Sequence, residues 1–162
     1  MNTIQLNQSK KKKATFALQT NIAAMIRKYG MERIGFLTLT FADNVQCHKE
    51  ATKRFNSLAT NVLKNKYESW VRISERQQSG RWHFHLVVVC KHDIRRGLKF
   101  DDLKNKNYKS ANKALRGEWS FWRGIAKKYN FGRTELLPIR KSGLLLIRVT
   151  ITASPFTLVL NN

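Results

Sequence analysis

His83, Phe84 and His85 set two imidazoles two positions apart in the chain. In an extended strand such residues point to the same face, about 6–7 Å apart along the backbone. Two imidazoles in that relation can converge on one divalent cation. Glu75 closes the preceding extended run, Trp70 to Glu75, and Ser79-Gly80 gives a turn signal before the run His83 to Cys90. So short a connection favours an antiparallel hairpin. With a regular register, Glu75 then lies opposite the histidines on their own face. Two imidazoles and one carboxylate suit Mn²⁺ or Mg²⁺, with positions left open for a phosphate oxygen. An H-x-H on a strand is more often satisfied by hydrogen bonds alone; here the placed carboxylate and the basic charge of the chain turn the reading towards metal. A rival grouping of Cys47, Cys90 and His92, with His48, would select structural Zn²⁺, but its spacing fits no standard pattern.

The charge balance points to the partner. Among 162 residues, 31 Lys and Arg face 10 Asp and Glu, a net +21 at pH 7. The commonest partner for so basic a chain is a nucleic acid backbone. An apolar content of 42% excludes a wholly disordered chain, and the length is that of one domain. Basic residues cluster at Lys10, Lys11, Lys12 and Lys13, at Lys64 and Lys66, at Arg95, Arg96 and Lys99, from Lys104 to Lys113, and at Lys127-Lys128. Trp70, Trp82 and Phe100 are candidates to stack on unpaired bases, Trp82 foremost because it adjoins the histidines. No apolar run reaches the roughly 18 residues that span a bilayer. Met1 to Lys13 has no apolar segment of a secretory signal. Two cysteines make no disulfide framework, so reduced thiols and a cytoplasmic location are expected.

The elements that must position these residues follow from periodicity. Leu18, Ile22, Met25 and Tyr29 mark one buried face of a helix over 14–29, with Gly30 at its end. Residues 35–41, GFLTLTF, alternate as a strand. Ala51, Phe55, Leu58 and Val62 make a helix of 48–67. A further helix runs from an N-cap at Ser110 to about Tyr129, its apolar stripe holding Trp119 and Trp122, with Gly132 beyond its end. Glu135 to Ile139 is a strand, placed by Pro138 at a sheet edge or strand end. The expected architecture is α+β: a central antiparallel sheet with helices packed on it. The expected organisation is a mobile basic arm over 1–13, repelled from order by its four lysines, one domain over 14–140, and an atypical tail over 141–162.

Together, Phe36-Leu37-Thr38-Leu39-Thr40-Phe41, then Glu75 with Ser79-Gly80-Arg81-Trp82-His83-Phe84-His85, then Trp122, Tyr129, Phe131-Gly132-Arg133 and Leu136-Leu137-Pro138-Ile139, resemble the rolling-circle replication initiators of the HUH endonuclease superfamily, in their phage and plasmid branch. The resemblance covers roughly residues 33–141. It implies a ferredoxin-like or RRM-like antiparallel palm. It also implies a metal-dependent nick in single-stranded origin DNA by a tyrosine that becomes 5′-phosphotyrosyl-linked, with host replication proteins as further partners. On this resemblance His83 and His85 are metal ligands with Glu75 the third. Thr38, Thr40, Arg81, Trp82, Lys10 to Lys13, Arg95 and Arg96 are the expected DNA contacts. A non-catalytic RRM-like nucleic-acid binder is the alternative.

The resemblance also calls for a tyrosine on a helix after the ELLPI strand, and none follows Tyr129. Tyr129 is the weak candidate left, on the apolar stripe of the preceding helix. After Lys141 the sequence becomes GLLLIRVTITASPFTLVL, with Arg148 its single charge. Such a break is what a shifted reading frame or a truncation leaves.

Overall fold

The computed structural model describes the backbone of residues 2–140 and 156–161, and side chains within 8–140. Five strands, β1 (Ile34–Phe41), β2 (Trp70–Arg76), β3 (Trp82–Val89), β4 (Phe131–Pro138) and β5 (Phe156–Asn161), form one antiparallel sheet in the order β4-β1-β3-β2-β5. The helices are α1 (Asn2–Tyr29), α2 (His48–Leu58), α3 (Lys64–Lys66), α4 (Phe100–Lys104) and α5 (Lys113–Ile125), with a π-helical turn at Ala59–Leu63 joining α2 to α3. β1-α2-β2-β3-α5-β4 is the β-α-β-β-α-β order of ferredoxin-like folds. The expected α+β class and antiparallel sheet are therefore what the chain adopts.

The alternation of β1 sorts its residues between two apolar clusters. Leu37, Leu39 and Phe41 point to the face covered by α2 and α5, where Phe55, Leu58, Phe84, Leu86, Leu115 and Trp122 fill the larger core. Val71, Ile73, Val87 and Val89 point the other way, onto Leu18, Ile22 and Met25 of α1. Helices thus cover both faces, which explains why β3 is apolar on both sides beyond its histidines. Arg72 is buried on the larger-core face, with its guanidinium over the rings of Phe55 and Phe84 at 4.6 and 5.2 Å.

Four expectations need correction. Residues 2–13 are the first turns of α1 and not an arm without structure. Successive residues step 100° around a helix, so four consecutive lysines spread over most of its circumference, and Lys is a good helix former. The N-cap of α5 is Asn112, whose side chain accepts from Leu115 N at 2.9 Å; Ser110 Oγ instead accepts from Lys99 N at 3.0 Å. The left-handed residue after the 3₁₀ turn Ala126–Tyr129 is Asn130, at φ 62°, not Gly132. Gly132 belongs to β4, where an added Cβ would lie 3.1 Å from Ala42 Cα. Trp70 is 7% exposed in the core and offers no face to a base.

Pro138 ends β4, an edge strand, as its missing N–H requires. Gly30 closes α1 at φ 85°. The reading of 141–155 as a break in frame lies outside the described residues; Phe156–Asn161 pairs with β2 as β5.

Candidate metal centre and its nucleic-acid face

The β2–β3 hairpin sets the site. Its register pairs Glu75 with His83 and Ile73 with His85. The loop closes through Gln77 N to Arg81 O and Gly80 N to Gln77 O, both 2.8 Å, so no residue is inserted that would turn Glu75 to the other face. Glu75 Oε2 lies 2.7 Å from His83 Nε2 and 2.8 Å from His85 Nε2. Among the described residues these three form the one group of His, Cys, Asp or Glu able to hold a metal ion, with donor atoms all within 4.8 Å of one another.

Each imidazole is anchored through its other nitrogen. His85 Nδ1 is 3.1 Å from Thr38 Oγ1, and His83 Nδ1 is 3.0 Å from Gln77 Nε2. The ring of Phe36 stacks on His85 at 5.2 Å, with 17° between planes. A carboxylate only accepts, so in this state both Nε2–H groups donate to Glu75, and Thr38 O–H and Gln77 N–H donate to the Nδ1 atoms. Burial works to raise the Glu75 pKa; the hydrogen bonds and charges of His83 and His85 outweigh it and hold the carboxyl well below its ordinary range.

The donor set fits a divalent cation on chemical grounds. Both Nε2 lone pairs become available once each imidazole proton moves to Nδ1. There the Thr38 hydroxyl can accept as readily as donate, and Gln77, by turning its amide, presents an oxygen. Two imidazoles and one carboxylate leave positions open, as Mn²⁺ or Mg²⁺ at a phosphate requires.

Strand pairing extends this site across the sheet. Glu75, His83, Thr40 and Arg133 form one row over β2, β3, β1 and β4; Ile73, His85, Thr38 and Glu135 form the next. Thr38 and Thr40, expected as DNA contacts, thus share the triad's face and are half-buried. Arg81, in the hairpin loop, lies close enough to Asp43 for its charge to help lower that carboxyl, behind the larger effect of Arg54. Trp82 is half-buried; its indole N–H donates to Gln46 O at 3.0 Å and its ring meets His48 at 4.5 Å.

Other expected residues lie elsewhere. Arg95 and Arg96 are on the loop that leaves the far end of β3, six residues and about 20 Å of strand beyond His83. Arg95 packs over Phe100 at 5.3 Å. Lys10, Lys12 and Lys13 are exposed on α1 and Lys11 is half-buried there. The sulfur grouping is not assembled: Cys47 is exposed before α2 and Cys90 is buried after β3. Tyr129 packs against the larger core, across the sheet from the triad. Gln77 is the residue that sequence reasoning misses; nothing in its position marks it except the hairpin loop that brings it back over His83.

An α+β protein with a carboxylate held between two imidazoles on one face of an antiparallel sheet is the class that these features define. Residues 34–142 match the ORF2 family of replication-associated proteins, and the chain belongs to that family. It is 50% identical over 131 residues to the phasyl DNA replicon protein arp of Escherichia coli. That match takes in 81% of this chain and 46% of the relative, so the chain spans about half the relative's length. No solved structure matches. Among the described residues, no helix is long and apolar enough to cross a membrane.

Proposed function

We propose that this chain binds single-stranded origin DNA and seats one of its phosphates at Glu75, His83 and His85 with Mn²⁺ or Mg²⁺, as in rolling-circle initiators of the HUH type. The observation that carries the reading is the single carboxylate oxygen, Glu75 Oε2, within 2.8 Å of both Nε2 atoms. Membership of a replication-associated family and a net charge of +21 support it. The cation would polarise the phosphate and offset charge that develops on it. The protein's own part is positional. Glu75, His83 and His85 hold the donors, Thr38 and Gln77 fix the imidazoles, and Thr40, Arg133 and the lysines of α1 offer contacts to the DNA backbone.

The test is a Mn²⁺ titration by calorimetry beside a fluorescence anisotropy titration with a fluorescein-labelled single strand. Stoichiometric Mn²⁺ binding, lost in the double variant His83→Ala, His85→Ala, is the expected result. DNA affinity should fall with salt at a log–log slope of about −0.7 per phosphate contact. Full DNA affinity with no Mn²⁺ uptake would make the protein a metal-free nucleic-acid binder instead.

A further inference from the structure

A groove of about 830 Å³ opens at the β4 edge, between that strand, α5 and the loop after α4. Lys106, Tyr108, Lys109, Trp119, Arg123 and Arg133 line it. We propose that this groove holds the single-stranded DNA flanking the phosphate at the triad, with one base stacked on Tyr108. The proposal extends the function proposed above and rests on it for the path of the strand.

Tyr108 is 51% exposed, one of two large apolar or aromatic side chains so placed among the described residues. Its loop is nonetheless braced. Lys106 takes a left-handed backbone at φ 55°, and Asn107 N donates to Asp102 O at 2.9 Å. Arg116 donates through Nη2 to Tyr108 O and Lys109 O, both at 3.2 Å, and through Nε to Ala111 O at 2.9 Å. The Tyr108 ring stands edge-on to Trp119 at 5.4 Å, which leaves an exposed ring already ordered. An aromatic face held rigid in a basic groove is the arrangement that binds unpaired bases without reading their sequence.

Charge selects the occupant. Glu135 is the single acid in the lining, and its 3.8 Å ion pair with the exposed Arg133 leaves the other cations free of it. A peptide strand adding to the β4 edge is disfavoured, because Trp119 Nε1 already donates to Leu136 O at 2.7 Å. Continuity fixes the direction. Arg133 lies in the same row as Thr40 and His83, two strand spacings or roughly 10 Å from the triad's strand. A strand leaving the triad across Thr40 therefore meets Arg133 at the lip of the groove.

The experiment is photocrosslinking of the full chain to an iodouracil-substituted oligothymidylate, with the adduct mapped by mass spectrometry, beside anisotropy titrations of variants. Crosslinks at Tyr108 or Trp119 are expected. Tyr108→Ala should weaken binding about 5- to 150-fold, the 1–3 kcal/mol of one stacked base, and Tyr108→Phe should retain it. Lys109→Glu should reduce the salt slope by about 0.7. Crosslinks confined to other segments, with Tyr108→Ala at wild-type affinity, would overturn the groove, as would no binding of the oligonucleotide. The two readings separate cleanly. Crosslinking at Tyr108 without Mn²⁺ uptake keeps the groove and removes the metal site; Mn²⁺ uptake with DNA crosslinked elsewhere does the reverse.

Discussion

Thr38 on β1 and His85 on β3 stand directly opposite one another, with the threonine hydroxyl 3.1 Å from the imidazole Nδ1. One side chain of the central strand thus sets the rotation of a metal-facing ring. Removing the hydroxyl while keeping the shape should cost affinity for the ion without disturbing the sheet. Thr38→Val is expected to weaken Mn²⁺ binding about 10- to 100-fold, the usual effect of losing such a partner, whereas Thr38→Ser retains it. Calorimetric titration checks both variants.

The parity of H-x-H makes the shared face of His83 and His85 legible from sequence, and the short connection after Glu75 makes its position legible too. The pairing of Thr38 with His85 is not legible, since it joins residues 47 apart in the chain. Strand alternation says which face a threonine takes but not which strand lies beside it. Ser110 and Asn112 are both able N-caps; a tertiary contact from Lys99 N decides between them. Charge repulsion among Lys10 to Lys13 argues against order over residues 2–13, but helix propensity outweighs it. The groove at Tyr108 depends on contacts of Arg116 with three carbonyls, which no local pattern reports.

Ion binding to the folded state alone raises stability by mass action. At about 100 times its dissociation constant, Mn²⁺ should add about 2.7 kcal/mol and raise the midpoint of thermal unfolding, and chelation should return it. Glu75→Gln should abolish that response, since a neutral amide supplies no charge and a weaker donor. Differential scanning fluorimetry with and without Mn²⁺ reads the difference; a Glu75→Gln protein that shifts like wild type would move the third ligand elsewhere.

The two thiols should behave differently. Burial, reinforced by the charge of Glu118, pushes the Cys90 thiol up to about 12 from 9.0, while Cys47 is exposed. In native protein at pH 8, a thiol reagent should titrate one cysteine quickly, and two after denaturation. The folded state also keeps the Cys90 proton when the unfolded chain releases it. Its contribution to stability is therefore full below about pH 9 and is lost as pH rises towards 12. Denaturant titrations should show a steeper alkaline loss of stability in wild type than in Cys90→Ala.

Tyr67 joins α5 to the chain below it. Its hydroxyl donates to Glu118 Oε2 at 2.7 Å and accepts from Trp122 Nε1 at 2.8 Å, and Lys66 Nζ meets the other Glu118 oxygen at 3.0 Å. Tyr67→Phe removes one oxygen and strands two buried partners. The expected loss is about 1–3 kcal/mol by chemical denaturation, with Mn²⁺ affinity unchanged because the triad lies on the other face of the sheet.

The last prediction concerns cleavage. A tyrosine that attacks a phosphate at the triad must reach it, and the chain has four tyrosines, all among the described residues. Tyr67 is buried in the hydrogen-bonded chain with Glu118 and Trp122. Burial holds its phenol well above the ordinary range, which removes the phenolate a nucleophile needs. Tyr129 packs on the larger core across the sheet. Tyr29 shares the triad's face but sits at the foot of α1 against the start of β1, four residues and about 13 Å of strand below Thr38. Tyr108 lies in the groove beyond β4, two strand spacings or roughly 10 Å from β3. Incubation of this chain with a labelled origin strand and Mn²⁺ should therefore give binding and no protein–DNA adduct on a denaturing gel. An abundant adduct mapped to Tyr108 would show that the groove delivers its tyrosine to the phosphate, and would replace base stacking as the role of that ring.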